Sequence, residues 1–185
     1  PSGQISTQKA FVWMLIQCFL SFLILLTFNS FAVIVGLLST IPVLIYPFAK
    51  RFTWWPQLFL GVAFNWGVLL SFSAHTGRID WGALVLYGSA IFWTLFYDTI
   101  YAFQDAKDDA IIGLKSTALL FGSKSDLWLT VVMIISCILM QISFYISSGN
   151  LQTYQLVLMM VGGGLFFCHL LRQLSKLDAK DTKRC

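Results

Sequence analysis

Six separate stretches of this chain are apolar over about 20 residues, the length a helix needs to cross a hydrocarbon core about 30 Å thick. They lie at residues 11–28, 30–48, 56–74, 81–103, 127–147 and 153–171. Backbone N–H and C=O groups in lipid have no water to pair with, so each stretch is predicted to be a helix that satisfies them internally. The predicted fold class is all-α: a polytopic transmembrane bundle, one domain over residues 1–185. Composition agrees, since 58% of the residues are hydrophobic and only 11% charged, where soluble domains carry about a quarter charged. That balance excludes a soluble enzyme, a disordered chain and a nucleic-acid binder. Pro42 in the second stretch and Gly162, Gly163 and Gly164 in the sixth predict kinks or close helix packing.

Six spans return both termini to one face, here the near side. Eleven of the twelve lysines and arginines fall there, and Arg78 alone falls on the far side. By the excess of Lys and Arg in non-translocated loops, the near side is expected to be cytoplasmic, or the matrix in a mitochondrion. Cys18, Cys137 and Cys168 sit inside apolar runs and read as buried thiols rather than a disulfide framework. The tail from Arg172 to Cys185 reads as a solvated basic segment beside anionic lipid.

There is no glutamate, and five of the eight aspartates lie between Asp98 and Asp126. Asp98 is expected about five residues inside the near-side end of the fourth span, where an ionisable group marks a functional site by default. If the helix continues past the membrane, a 100° step per residue puts Asp105 about 20° to one side of Asp98 and Asp109 about 20° to the other. Asp108 falls about 80° away. Asp105 and Asp109 repel at i, i+4 spacing, so a positive partner is expected. Paired hard oxygen ligands suit Mg²⁺, which bridges one or two carboxylates to substrate phosphates. A solvated acidic loop neutralised by Lys107 explains the spacing equally well, and Lys115-Ser116 downstream shifts the balance toward phosphate chemistry.

Two blocks carry a resemblance to a known family. One runs Tyr97-Asp98-Thr99-Ile100-Tyr101-Ala102, then Asp105-x-x-Asp108-Asp109, then Ile112-Gly-Leu-Lys115-Ser116-Thr-Ala-Leu-Leu-Phe-Gly122. The other runs Tyr46-Pro-Phe-Ala-Lys50-Arg51 through Pro56-Gln57 and Leu60-Gly61 to Phe64-Asn65-Trp-Gly67. Together they resemble the UbiA superfamily of intramembrane aromatic prenyltransferases, closest to its 4-hydroxybenzoate polyprenyltransferase branch.

The resemblance implies nine helices around a central cavity, with two facing aspartate-rich motifs each holding Mg²⁺ on a substrate diphosphate. It implies that Asp105 and Asp109 match the metal-binding pair of the second motif, and that Lys115 reaches the diphosphate. Tyr46 and Lys50 match a Tyr-x-x-x-Lys element, and Arg51 is the candidate for a substrate carboxylate. Asn65, Asp98, Tyr101 and Ser116 complete the expected substrate-binding set, with Tyr46, Tyr101 and Phe103 as candidate faces for an allylic cation. The first motif would precede Pro1 and the last helix would follow Cys185. The six spans then correspond to family helices three to eight, and the chain is expected to be a fragment with half of the metal site. The expected partners are polyprenyl diphosphate, 4-hydroxybenzoate and the bilayer. The alternatives are a prenyltransferase of the same superfamily with another aromatic acceptor, and a non-catalytic membrane module or transporter with Asp98 as its ion site, against which stand the lack of repeated halves and the clustering of polar residues at one face.

Overall fold

The computed structural model describes residues 5–147, 149 and 152–176. Among them are no strands, and six helical segments are long and apolar enough to cross a membrane: Thr7–Leu25, Ser30–Phe52, Pro56–Thr76, Trp81–Ile112, Thr117–Ser147 and Thr153–Lys176. The chain is an integral membrane protein with the all-α bundle expected of it. Its elements are α1 (Thr7–Leu25), α2 (Ser30–Leu38), α3 (Thr40–Ile45), α4 (Ala49–Phe52), α5 (Pro56–Phe64), α6 (Trp66–Thr76), α7 (Trp81–Ile112), α8 (Thr117–Phe121), α9 (Ser125–Ser147) and α10 (Thr153–Lys176). Of the expected basic tail, residues 172–176 extend α10 as helix, and the rest lies outside the described residues.

Three of these segments are broken, the fifth of them at Gly122, whose φ of 49° separates α8 from α9. The second interrupts at Ser39, one turn before the ring of Pro42, which cannot donate to the Leu38 carbonyl and crowds it. The third breaks at Asn65, whose φ of −86° and ψ of 4° leave the helical region. The Asn65 amide nitrogen takes up the slack, donating to Gly61 O at 2.9 Å, Ala90 O at 3.1 Å and Thr94 Oγ1 at 2.7 Å. The glycine triplet, by contrast, leaves α10 unbroken. Only the middle one meets a neighbour: a Cβ at Gly163 would displace the flexible end of the Gln141 side chain of α9, whereas Cβ atoms at Gly162 and Gly164 would meet nothing within 4 Å.

The 32-residue α7 is the axis of the bundle, with α5, α8 and α9 against it. Leu95, Phe96, Leu129, Met133 and Leu170 are almost wholly enclosed. Ser89 and Ser136 each donate to the other's carbonyl, at 2.7 and 2.9 Å, which ties α7 to α9. Cys137 is buried as expected, whereas Cys18 and Cys168 face outward. Outward apolar surface is ordinary here, because lipid is the surrounding solvent.

Gly61 sets how closely α5 approaches α7. A Cβ there would stand 3.0 Å from the Ile91 carbonyl oxygen and 3.3 Å from its Cα, backbone that cannot yield. Gly61→Val is therefore expected to destabilise the protein by about 2 kcal/mol. Gly67, where an added Cβ would meet nothing within 4 Å, should tolerate the same change far better. Thermal unfolding in detergent compares the two, and equal losses would mean that the close approach does not matter.

Candidate functional site

The near-side end of α7 meets two loops that fold onto one another. Pro47 in the turn Tyr46–Phe48 and Pro56 at the first position of α5 bracket a short segment that holds only one helical turn, α4. On the other strand of chain, Gly113 at φ 77° ends α7 in the left-handed conformation, and the Leu114 N–H closes back on Asp109 O at 2.8 Å. The turn sends residues 115–117 onto the first loop. The Lys115 N–H donates to Lys50 O at 3.0 Å, and the Thr117 N–H donates to Gln57 Oε1 at 3.1 Å. Thr117 Oγ1 is also 2.7 Å from Thr99 Oγ1 within the buried core of α7 and α8.

Helix α7 runs without interruption to Ile112, so Asp98, Asp105 and Asp109 keep the common stripe that their spacing predicts. Asp105 is exposed and Asp109 buried. The positive partner expected beside the pair is Lys50, whose Nζ lies 2.8 Å from Asp109 Oδ2 and 3.2 Å from Oδ1. The carboxylate side chain is 7% exposed and the lysine side chain 38%. Among the described residues, no three His, Cys, Asp or Glu side chains cluster as a ready metal cage. Asp105 and Asp109 are thus two oxygen donors on one face, short of a complete ligand set.

Deeper along the stripe, Tyr46, Pro47, Lys50, Pro56, Gln57 and Asp98 line a cavity of about 110 Å³. Four of these residues belong to the expected site or its matching blocks by their polar side chains, and the structure brings them to one small volume. Next to it in sequence on the same elements, an apolar groove of about 390 Å³ runs between α2–α3 and α5–α6, from Ile45 and Leu58 to Leu38 and Trp66.

Other expected site residues lie elsewhere. Lys115 Nζ rests 3.4 Å from Phe52 O and 5.8 Å from the centre of the Trp54 ring, outside the cavity. The Ser116 hydroxyl caps α8 by accepting from the Leu119 N–H and is fully enclosed. Asn65 bridges α5 to α7, as described above, and does not line the cavity. Arg51 is exposed. Tyr101, 60% exposed, stacks edge-on against Tyr97, which in turn leans on Trp93. Phe103 belongs to the core cluster. Sequence reasoning gave Gln57 no role of its own. The available signal was a glutamine directly after a proline at a helix start, a polar side chain in the first turn facing a loop.

A helical membrane bundle with carboxylates and an ammonium group gathered at one face, beside an apolar groove, defines a polytopic membrane protein with a polar site next to apolar space. The chain belongs to the UbiA prenyltransferase family, whose model matches residues 1–185. It is 44% identical over its whole length to the mitochondrial 4-hydroxybenzoate polyprenyltransferase of Bos taurus and 42% identical to that of Homo sapiens, covering 48% of each. It is also 40% identical to the UbiA prenyltransferase claS of Ampulloclitocybe clavipes, covering 58% of it. The chain thus spans about half the length of the curated relatives it matches. No solved structure matches it.

Proposed function

We propose that this protein transfers a polyprenyl group from polyprenyl diphosphate to the ring of 4-hydroxybenzoate, as in ubiquinone synthesis. The observation that supports it most is that Lys50 pairs with Asp109 near the end of α7 and also lines, with Tyr46 and Asp98, the cavity deeper along it, in a chain whose relatives carry that activity in their names. In the transfer, the allylic C–O bond of the donor breaks and diphosphate departs. The ring carbon beside the phenol hydroxyl bonds to the allylic carbon, and the ring then loses its proton.

Negative charge gathers on the departing diphosphate, so fixed cations near it lower the barrier. The Lys50 ammonium is already held at the carboxylate stripe. Among the described residues, the Lys115 ammonium, with three N–H donors, meets a carbonyl and a ring face, which leaves it able to turn to phosphate oxygens. Asp105 and Asp109 fit the modest demand of Mg²⁺ for one or two carboxylates beside phosphate and water, and Mg²⁺ held there supplies charge neutralisation for the leaving group. The exposed Tyr101 ring and Tyr46 offer faces to the allylic cation, worth about 2 kcal/mol when dry. Arg51, exposed and adjacent to Lys50 in sequence, is our assignment for the acceptor's carboxylate. The near side is the cytoplasmic face of a bacterial inner membrane or the matrix face of a mitochondrial one.

Membranes containing the full-length protein are expected to prenylate 4-hydroxybenzoate from polyprenyl diphosphate, to stop on EDTA treatment, and to resume with excess Mg²⁺. Product that persists in EDTA would remove the metal from the mechanism. Transfer to other aromatic acceptors but not to 4-hydroxybenzoate would overturn the substrate.

A further inference from the structure

Gln57 is a polar side chain with one end used and one end free. It is 2% exposed. Its Oε1 accepts from the Thr117 N–H, and because an N–H requires an acceptor, that contact fixes which end of the amide faces Thr117. The Nε2 end makes no hydrogen bond among the described residues, yet no buried side-chain nitrogen or oxygen is left both enclosed and unpaired. The nitrogen is therefore not wholly enclosed, and the space that Gln57 lines is the 110 Å³ cavity it shares with Asp98, Tyr46 and Lys50.

A free amide N–H donor and a carboxylate acceptor facing one small volume form the complement of a hydroxyl, which both donates and accepts. We propose that Gln57 is a specificity-determining residue that reads the ring hydroxyl of the aromatic acceptor: its Nε2–H donates to the hydroxyl oxygen while Asp98 accepts the hydroxyl proton. The assignment rests on the transferase reading above. Diphosphate suits this cavity poorly, because Asp98 would repel it, and the Asp105–Asp109 end of the stripe lies about 10 to 16 Å further along α7. The acceptor enters hydroxyl first, and its carboxylate then points away from Asp98, with Arg51 as its assigned partner. The hydrogen bond to Asp98 also pushes electron density into the ring, at the carbon that must attack.

Gln57→Glu in the full-length protein separates this role from a structural one, because a carboxylate still accepts from the Thr117 N–H but no longer donates. KM for 4-hydroxybenzoate is expected to rise about tenfold, the worth of one lost hydrogen bond at a buried site, while KM for polyprenyl diphosphate stays within about twofold. The wild-type protein is expected to prefer 4-hydroxybenzoate to 4-aminobenzoate, whose amine donates but accepts poorly, and the variant is expected to lose that preference. Gln57→Met provides the same preference ratio if Gln57→Glu accumulates poorly. Parallel losses on both acceptors, or an unmoved KM and preference ratio, would overturn the assignment and leave Gln57 as a peg for Thr117. A wild-type protein that prenylates neither acceptor would instead overturn the transferase reading, and this assignment with it.

Discussion

Asp109→Asn and Asp105→Asn, each made in the full-length protein, are expected to lower prenyl transfer about a thousandfold, the scale of losing a group that stabilises developing charge. Asp108→Asn is expected to keep most of the activity. The distinction comes from helix geometry. Because α7 is continuous to Ile112, Asp108 stands about 80° off the stripe that carries its two neighbours. It is also exposed, whereas Asp109 is buried against Lys50. Rates measured at saturating Mg²⁺ and donor decide the matter. Equal losses in all three variants would sink the stripe as the organising feature.

Removing the cation should have the second large effect, and on stability as well as rate. Lys50→Met leaves the Asp109 carboxylate enclosed without its partner, which costs about 3–5 kcal/mol for fully buried pairs. The lysine side chain here is 38% exposed, so a loss of about 1–2 kcal/mol is expected after solvent screening. Asp109→Asn added to Lys50→Met should recover part of that loss, since the stranded charge disappears. A double-mutant cycle on thermal unfolding reads the coupling. Strict additivity of the two single changes would mean that the ion pair contributes nothing to the fold.

Local patterns made much of this protein legible. Six apolar stretches, their charge asymmetry and the Asp98–Asp105–Asp109 stripe follow from periodicities of a few residues, and the structure keeps all six helices. Contacts between distant segments were harder to foresee. Lys50 lies 59 positions before Asp109, and no spacing rule says which of several near-side cations will meet that carboxylate. Lys115 illustrates the same limit: its motif suggests a phosphate ligand, but the turn at Gly113 lays its ammonium on Phe52 and Trp54. The break at Asn65 was hidden because its cause is tertiary, an amide that replaces lost backbone bonds by reaching Ala90 and Thr94. Gln57 was overlooked for the same reason, its burial being set by the loop that returns from α7.

The length of α7 has a kinetic consequence. At 1.5 Å per residue, its 32 residues span about 48 Å, well beyond a hydrocarbon core of about 30 Å. With the apolar residues 81–103 filling that core, the carboxylates of the last turns stand at headgroup level, where, on the proposed function, the charged end of a polyprenyl diphosphate donor resides. Such a donor never has to leave its leaflet or strip its head of water to reach them. Its search is confined to two dimensions, so encounter should scale with the donor's mole fraction in the membrane rather than with its concentration in bulk. Diluting donor-loaded membranes with buffer should leave the rate per protein unchanged, whereas adding inert lipid to the same membranes should lower it.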